Sequence, residues 1–214
     1  RQMMIAPGLT LYHTGYSPRI IRQKAARNLN FMLARRAEGK EDILDAYHLM
    51  DCYYTLQDYP KAAQYAHEAM RCEKQPAGAE DRPYAVLLQA LILMQASDDE
   101  VAAAYRTACA AFPHKADFPL IYGVYAWERG NFRAAWEAER TGTHLHEEYY
   151  HEGDFSALLA PGAYAHLGEL SALRGEMEAA VDFFLKSLQG NKYQSTVLSV
   201  FSRVLYQMGT DDAA

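Results

Sequence analysis

The densest set of chemically capable side chains in this sequence is His144-Leu145-His146-Glu147-Glu148-Tyr149-Tyr150-His151-Glu152. On a helix, residues three and four apart are neighbours. His144, Glu147 or Glu148, and His151 would then share a face, and imidazole with carboxylate is a zinc-ligating set. The zinc-protease spacing His-Glu-x-x-His is missed by one residue: after His146-Glu147, position 150 is Tyr150 and the histidine comes at His151. The preferred reading is therefore a solvated polar helix without metal, with His144, Glu148 and His151 as the weaker metal-site alternative. Other chemistry is thin. There is no Gly-rich phosphate loop, no Gly-x-Ser-x-Gly elbow and no Asp-x-Asp pair. His48 and Glu68 read as surface or groove residues at most, and none of the eight histidines is assigned general-base work. No cofactor is expected in the 214 residues.

With so little chemistry, the weight shifts to the elements themselves. Half of the residues are hydrophobic, enough for one domain or a short solenoid. The formal net charge is −6 and no basic block occurs, which argues against nucleic acid as a partner. No apolar run approaches the roughly 18 residues that span a bilayer, and no signal peptide is visible. Cys52, Cys72 and Cys109 form no paired spacing, so reduced thiols and a cytoplasmic setting are expected. Cys52 and Cys109 read as small buried hydrophobes. The chain opens at Arg1, in mid-pattern, which is the expectation for a piece of a longer protein.

A helix end, a tight turn, an apolar residue and then a small residue recur along the chain. Copies lie at Tyr53-Tyr54-Thr55-Leu56-Gln57-Asp58-Tyr59-Pro60-Lys61-Ala62, at Ala126-Trp127-Glu128-Arg129-Gly130-Asn131-Phe132-Arg133-Ala134-Ala135 and at Ser171-Ala172-Leu173-Arg174-Gly175-Glu176-Met177-Glu178-Ala179-Ala180. A weaker copy runs through Ser97-Asp98-Asp99-Glu100-Val101. The markers Ala62, Val101, Ala135 and Ala180 lie 39, 34 and 45 residues apart. The extra residues of the first and last intervals fall at Gln75–Asp81 and around His146–Pro161, between repeats, where loops absorb length at little cost. A unit of this kind cannot bury its own apolar face, so copies stack. Over about residues 40–210 the chain resembles the tetratricopeptide repeat (TPR) family, whose period is about 34 residues. Signature positions are filled by Leu49, Tyr53, Tyr59, Ala62 and Ala69, then by Leu88, Tyr105, Ala108 and Pro113. Gly123, Gly130, Phe132 and Ala135 follow, and then Leu167, Gly168, Gly175, Met177, Ala180 and Phe184. Met50 and Val101 stand where the family has small residues. The expected fold is all-α, a TPR solenoid of antiparallel helix pairs in residues 40–210, with about four repeats and a capping helix carrying Val197, Val200, Phe201, Val204 and Leu205.

Ahead of the repeats, Pro7-Gly8 signals a turn and Leu9-Thr10-Leu11-Tyr12-His13 alternates like a short strand. Ser17-Pro18 is a helix start. The stripe Ile21, Ala25, Leu29, Met32 and Leu33 continues that helix to Gly39, as a linker helix over 17–39. His13-Thr14-Gly15-Tyr16-Ser17-Pro18, followed by Lys24, Arg27-Asn28 and Leu29, resembles the junction of bacterial family-2 glycosyltransferases that carry a TPR tail. The resemblance implies that residues 1–16 are a strand-like remnant of an upstream GT-A domain. It also implies that a divalent metal and a nucleotide sugar belong to the parent enzyme, and that the chain itself is non-catalytic. His13 is then the one residue the sugar-transfer site could share, although a plain strand residue is the preferred reading.

In a TPR the first helix of each pair lines the concave face. The register projects Tyr47, Asp51 and Tyr54 there, with Ala90, Leu93 and Met94, then Val124, Trp127 and Glu128, then Glu169 and Leu173. This apolar, aromatic and acidic set lacks the Lys/Asn/Arg clamp for a peptide C-terminus and suits an apolar segment carrying Lys or Arg. Packing against the parent catalytic domain, or against a second copy as a homodimer, is the alternative use of the same surface. The expected function is a protein-interaction or scaffold region of a sugar-transferring enzyme. The alternative is a free-standing cytoplasmic adaptor that binds a peptide or a partner protein.

Overall fold

The computed structural model of the chain describes residues 17–72, 75–150 and 155–211. The strand-like opening and His13 lie outside those residues. Ten helices are described: α1 (Pro18–Ala37), α2 (Asp45–Thr55), α3 (Tyr59–Met70), α4 (Arg82–Leu93), α5 (Asp98–Ala111), α6 (Asp117–Glu128), α7 (Phe132–Tyr149), α8 (Ser156–Leu173), α9 (Met177–Gly190) and α10 (Ser195–Asp211). The chain divides into two units, Arg1–Val86 and Leu87–Ala214.

In the first unit the α2–α3 turn forms because Gln57 adopts a left-handed φ of 67° and Asp58 caps α3, its side chain accepting from the Lys61 N–H at 3.3 Å. Ala62, Ala66 and Ala69 are fully buried on α3, and their small size lets α2 approach. Leu49 and Met50 are fully buried opposite, so the larger Met50 is accommodated. Tyr53 stacks on Tyr65 with centroids 5.4 Å apart. Helix α1 buries only Ala25 and Met32, seven residues apart. Leu33, expected in its stripe, is 39% exposed. The helix is tied down by Arg36, which pairs with Glu68 at 3.2 Å and lies over Tyr65.

In the second unit the turns before α7 and α9 use Gly130 and Gly175, with φ of 73° and 79°, a region that favours glycine. Asn131 caps α7, and Ser97 with Glu100 forms a reciprocal capping box on α5. The markers Val101, Ala135 and Ala180 are fully buried. Gly142 on α7 lets α6 close in: a Cβ there would come 2.7 Å from Leu120. Gly168 on α8 does the same for Phe184 of α9. Helix α10 closes the unit through Val197 and Val204, packed with Phe184, while Leu205 remains 47% exposed.

The last insertion departs from expectation. Of the residues expected in a loop around His146–Pro161, His146–Tyr149 instead lengthen α7 and Ser156–Pro161 belong to α8, each helix reaching 18 residues. Pro161 sits inside α8, where its carbonyl accepts from Ser187 Oγ at 2.7 Å and its ring faces Gly190.

Gly142→Ala is expected to destabilise the chain by about 1–3 kcal/mol, the range for overpacking a filled contact. Gly162→Ala, on α8 with no neighbour within 4 Å of its added Cβ, is expected to be neutral or stabilising by up to about 1 kcal/mol. Urea unfolding of the two variants checks the contrast; equal effects would contradict the close α6–α7 approach.

Candidate functional site

Only His144–Tyr150 of the His144–Glu152 cluster lie within the described residues. Among the described residues no group of three or more His, Cys, Asp or Glu side chains could hold one. His144 and Glu148 form an exposed pair on α7 at 3.6 Å, and His151 lies outside the described residues. His146 turns away to Ser156, with Nδ1 and Oγ 3.0 Å apart. Glu147 accepts from Tyr164 at 2.8 Å and from Lys186 at 2.6 Å, and the Lys186 contact holds its carboxyl below the usual range. The Ser156–His146 pair offers no nucleophile to a substrate, since Ser156 is 1% exposed.

The residues projected onto the concave face fall in both units. In the first unit Tyr47 is buried rather than surface-lining. Asp51 is paired with Arg82 at 3.0 Å, and the same guanidinium lies over Tyr54. In the second unit Leu93, Met94 and Leu173 are exposed, Leu173 at 83%. Val124, Trp127 and Glu169 are half-buried and Glu128 is exposed. Glu128 and Glu169 have no ion-pair partner among the described residues. Glu169 and Leu173 also line a pocket with Val200, Arg203 and Val204 of α10.

Trp127 of α6 is the organised centre of this face. Its ring lies parallel to His166 of α8 with centroids 4.0 Å apart, and Phe132 meets it edge-on at 5.1 Å. His166 is fixed in turn by Glu139 of α7, with Nδ1 2.7 Å from Oε1. Glu139 is fully buried, and its Oε2 has no hydrogen-bond partner among the described residues. Gly123 of α6 makes room for it, because a Cβ at that position would collide with Glu139 Cγ. Burial raises the Glu139 pKa, and His166 pulls it back in part. A carboxylate on Nδ1 orients the imidazole and leaves Nε2 as the ring's remaining hydrogen-bonding atom. No Ser, Thr or Cys side chain is hydrogen-bonded to His166 among the described residues, so the pair is not coupled to a nucleophile. The arrangement positions an aromatic surface.

Sequence reasoning named Trp127 but neither Glu139 nor His166. A signal existed: Ala135, Ala138, Glu139 and Gly142 follow buried-stripe spacing, and all four are buried.

The Glu139 shift gives a pH dependence. A carboxyl whose folded pKa is raised contributes stability that is fully present below the unfolded value of about 4.3 and is lost as pH rises through the folded value. Glu139→Gln stays neutral and can still accept from His166. It is expected to gain stability relative to the wild type as pH is raised from about 4 to 8. Urea unfolding across that range measures the difference, and a flat difference contradicts burial as the dominant influence on Glu139.

No family model matches the chain, and no curated protein matches its sequence. Solved structures do match in fold. The C-terminal part of a TPR repeat-containing protein from Cytophaga hutchinsonii aligns over 91% of this chain and 71% of that one, with a TM-score of 0.64 at 15% identity. MamA from Desulfovibrio magneticus aligns over 83% of this chain and 95% of that one, with a TM-score of 0.53 at 18% identity. A thermophilic TPR protein of Thermus thermophilus aligns over 89% of this chain and 100% of that one, with a TM-score of 0.50 at 15% identity. At such identities the likeness is one of fold, and the fold is that of the tetratricopeptide repeat, a solenoid of antiparallel helix pairs.

Proposed function

We propose that the chain is a TPR protein-interaction module that holds an apolar, Lys- or Arg-bearing segment of a partner on the α6–α8 face. The observation that carries this reading is the locked aromatic anchor. Trp127 is stacked on an imidazole that a fully buried carboxylate holds in place. An aromatic fixed before binding loses little freedom on complex formation, which is the property of interface hot spots. Glu128 and Glu169, unpaired among the described residues, supply the complement to a basic side chain. Exposed Leu93, Met94 and Leu173 supply apolar contact on the same unit. The free thiols Cys52, Cys72 and Cys109 are in keeping with a reducing, cytoplasmic setting.

A second reading rests on the junction His13-Thr14-Gly15-Tyr16-Ser17-Pro18. In it the chain is the tail of a family-2 glycosyltransferase, the metal and nucleotide sugar belong to the upstream part, and that part covers the α6–α8 face. The mass of the native polypeptide separates the two readings. A band larger than 24.1 kDa by a domain or more, with an Asp-x-Asp motif upstream, supports the tail. A band near 24.1 kDa supports the adaptor.

The binding reading is tested on a peptide array that varies apolar and basic content. Apolar peptides with Lys or Arg are expected to bind best, and Trp127→Ala is expected to weaken the best of them by about 2 kcal/mol, roughly thirtyfold. Unchanged affinity would remove Trp127 as the anchor.

A further inference from the structure

Helix α7 of the second unit also carries a different kind of site. Trp136 on α7 is clasped by two guanidinium groups, with Arg174 Cζ 3.9 Å and Arg140 Cζ 5.6 Å from the ring centroid. Neither arginine has a carboxylate partner among the described residues. Nearby cations differ: Arg133 holds Glu137 at 3.1 Å, and Lys186 holds Glu147 at 2.6 Å. Trp136 and Arg140 stand at one end of a cleft of about 630 Å³, inside the range of about 300–1,000 Å³ typical of binding sites. Its walls come from α7 and from Phe183 and Lys186 of α9, and Tyr164 of α8, 7% exposed, forms the floor.

The cleft follows α7 from Trp136 to Glu147, about 16 Å at 1.5 Å per residue. That length accepts about five residues of extended chain at roughly 3.3 Å each. Its chemistry changes along the way. At the Trp136 end Arg140 lines the cleft and Arg174 lies over the indole, both without a carboxylate partner among the described residues, while Glu137 is taken up by Arg133; the middle offers the Phe183 ring, and the far end is a neutralised Lys186–Glu147–Tyr164 group. Stacking on indole holds a guanidinium fork in place, which favours planar, two-point recognition of a carboxylate.

We propose that this cleft binds an extended acidic peptide segment of a partner protein, with a carboxylate on Arg140 and Arg174 and the segment running toward Lys186. The site selects the charge opposite to that sought by the α6–α8 face, and it does not depend on what binds there.

The test uses the intact chain and the indole N–H resonances of its two tryptophans, assigned with Trp127→Phe. The probes are blocked penta-glutamate, penta-glutamine and pentalysine peptides. Penta-glutamate is expected to move the Trp136 resonance saturably and to leave Trp127 in place. The variant Arg140→Gln with Arg174→Gln is expected to weaken this binding by about tenfold or more. Three results would overturn the proposal: no Trp136 shift with penta-glutamate up to about 5 mM, equal binding of penta-glutamine or pentalysine, or undiminished binding by the double variant. The substitutions lie on exposed side chains, and an unchanged amide spectrum confirms that the variant is folded.

Discussion

A glutamate without access to water constrains three of its neighbours in the second unit. Glu139 is sealed between α6, α7 and α8. Enclosing a carboxyl carries a desolvation penalty that a single hydrogen bond offsets only in part. Three neighbours follow from it. Position 123 has to be glycine, because a methyl group would occupy the space of Glu139 Cγ. His166 has to turn Nδ1 inward to bond Oε1. Trp127 then rests on an imidazole face whose plane is already set. A polar group in the interior thus fixes an aromatic group at the surface, and rigidity is what a binding anchor needs.

The lengthened helices explain the second face. A twelve-residue α7, like α6, would stop before His144. The extra turns carry Glu147 to Tyr164 and Lys186, and so give the α7–α9 cleft its far end. Trp136, Arg140 and Arg174 give it a charged near end. One helix therefore contributes to both faces: Glu139 points to the Trp127 side, while Trp136 and Arg140 border the cleft.

The repeats are legible in the sequence because their rule is steric. Small residues at Ala62, Ala135 and Ala180 and turn glycines at 130 and 175 leave a periodic trace, and all three alanines are fully buried. Other features leave no such trace. Spacing counts inserted residues without saying whether they loop out or extend a helix, and His144–Tyr149 contains no Gly or Pro to break α7. The histidine cluster looks collective in sequence, but among the described residues His144 meets Glu148, His146 meets Ser156, and Glu147 meets Tyr164 and Lys186. A helical register assigns a face without giving its depth, so Tyr47 projects to the surface in sequence and is buried in the fold. Glu139 escapes notice because a carboxylate in a helix ordinarily signals solvent; its position in an alanine–glycine stripe is the contrary clue.

The most direct test of this account is a pH titration of the Glu139 carboxyl in the intact chain, followed by its assigned side-chain carbon-13 resonance. The midpoint is expected above the ordinary glutamate value of about 4.3. A midpoint at or below that value would contradict it, and would mean that Glu139 meets water or a stronger partner and does not hold Trp127's platform in the way described.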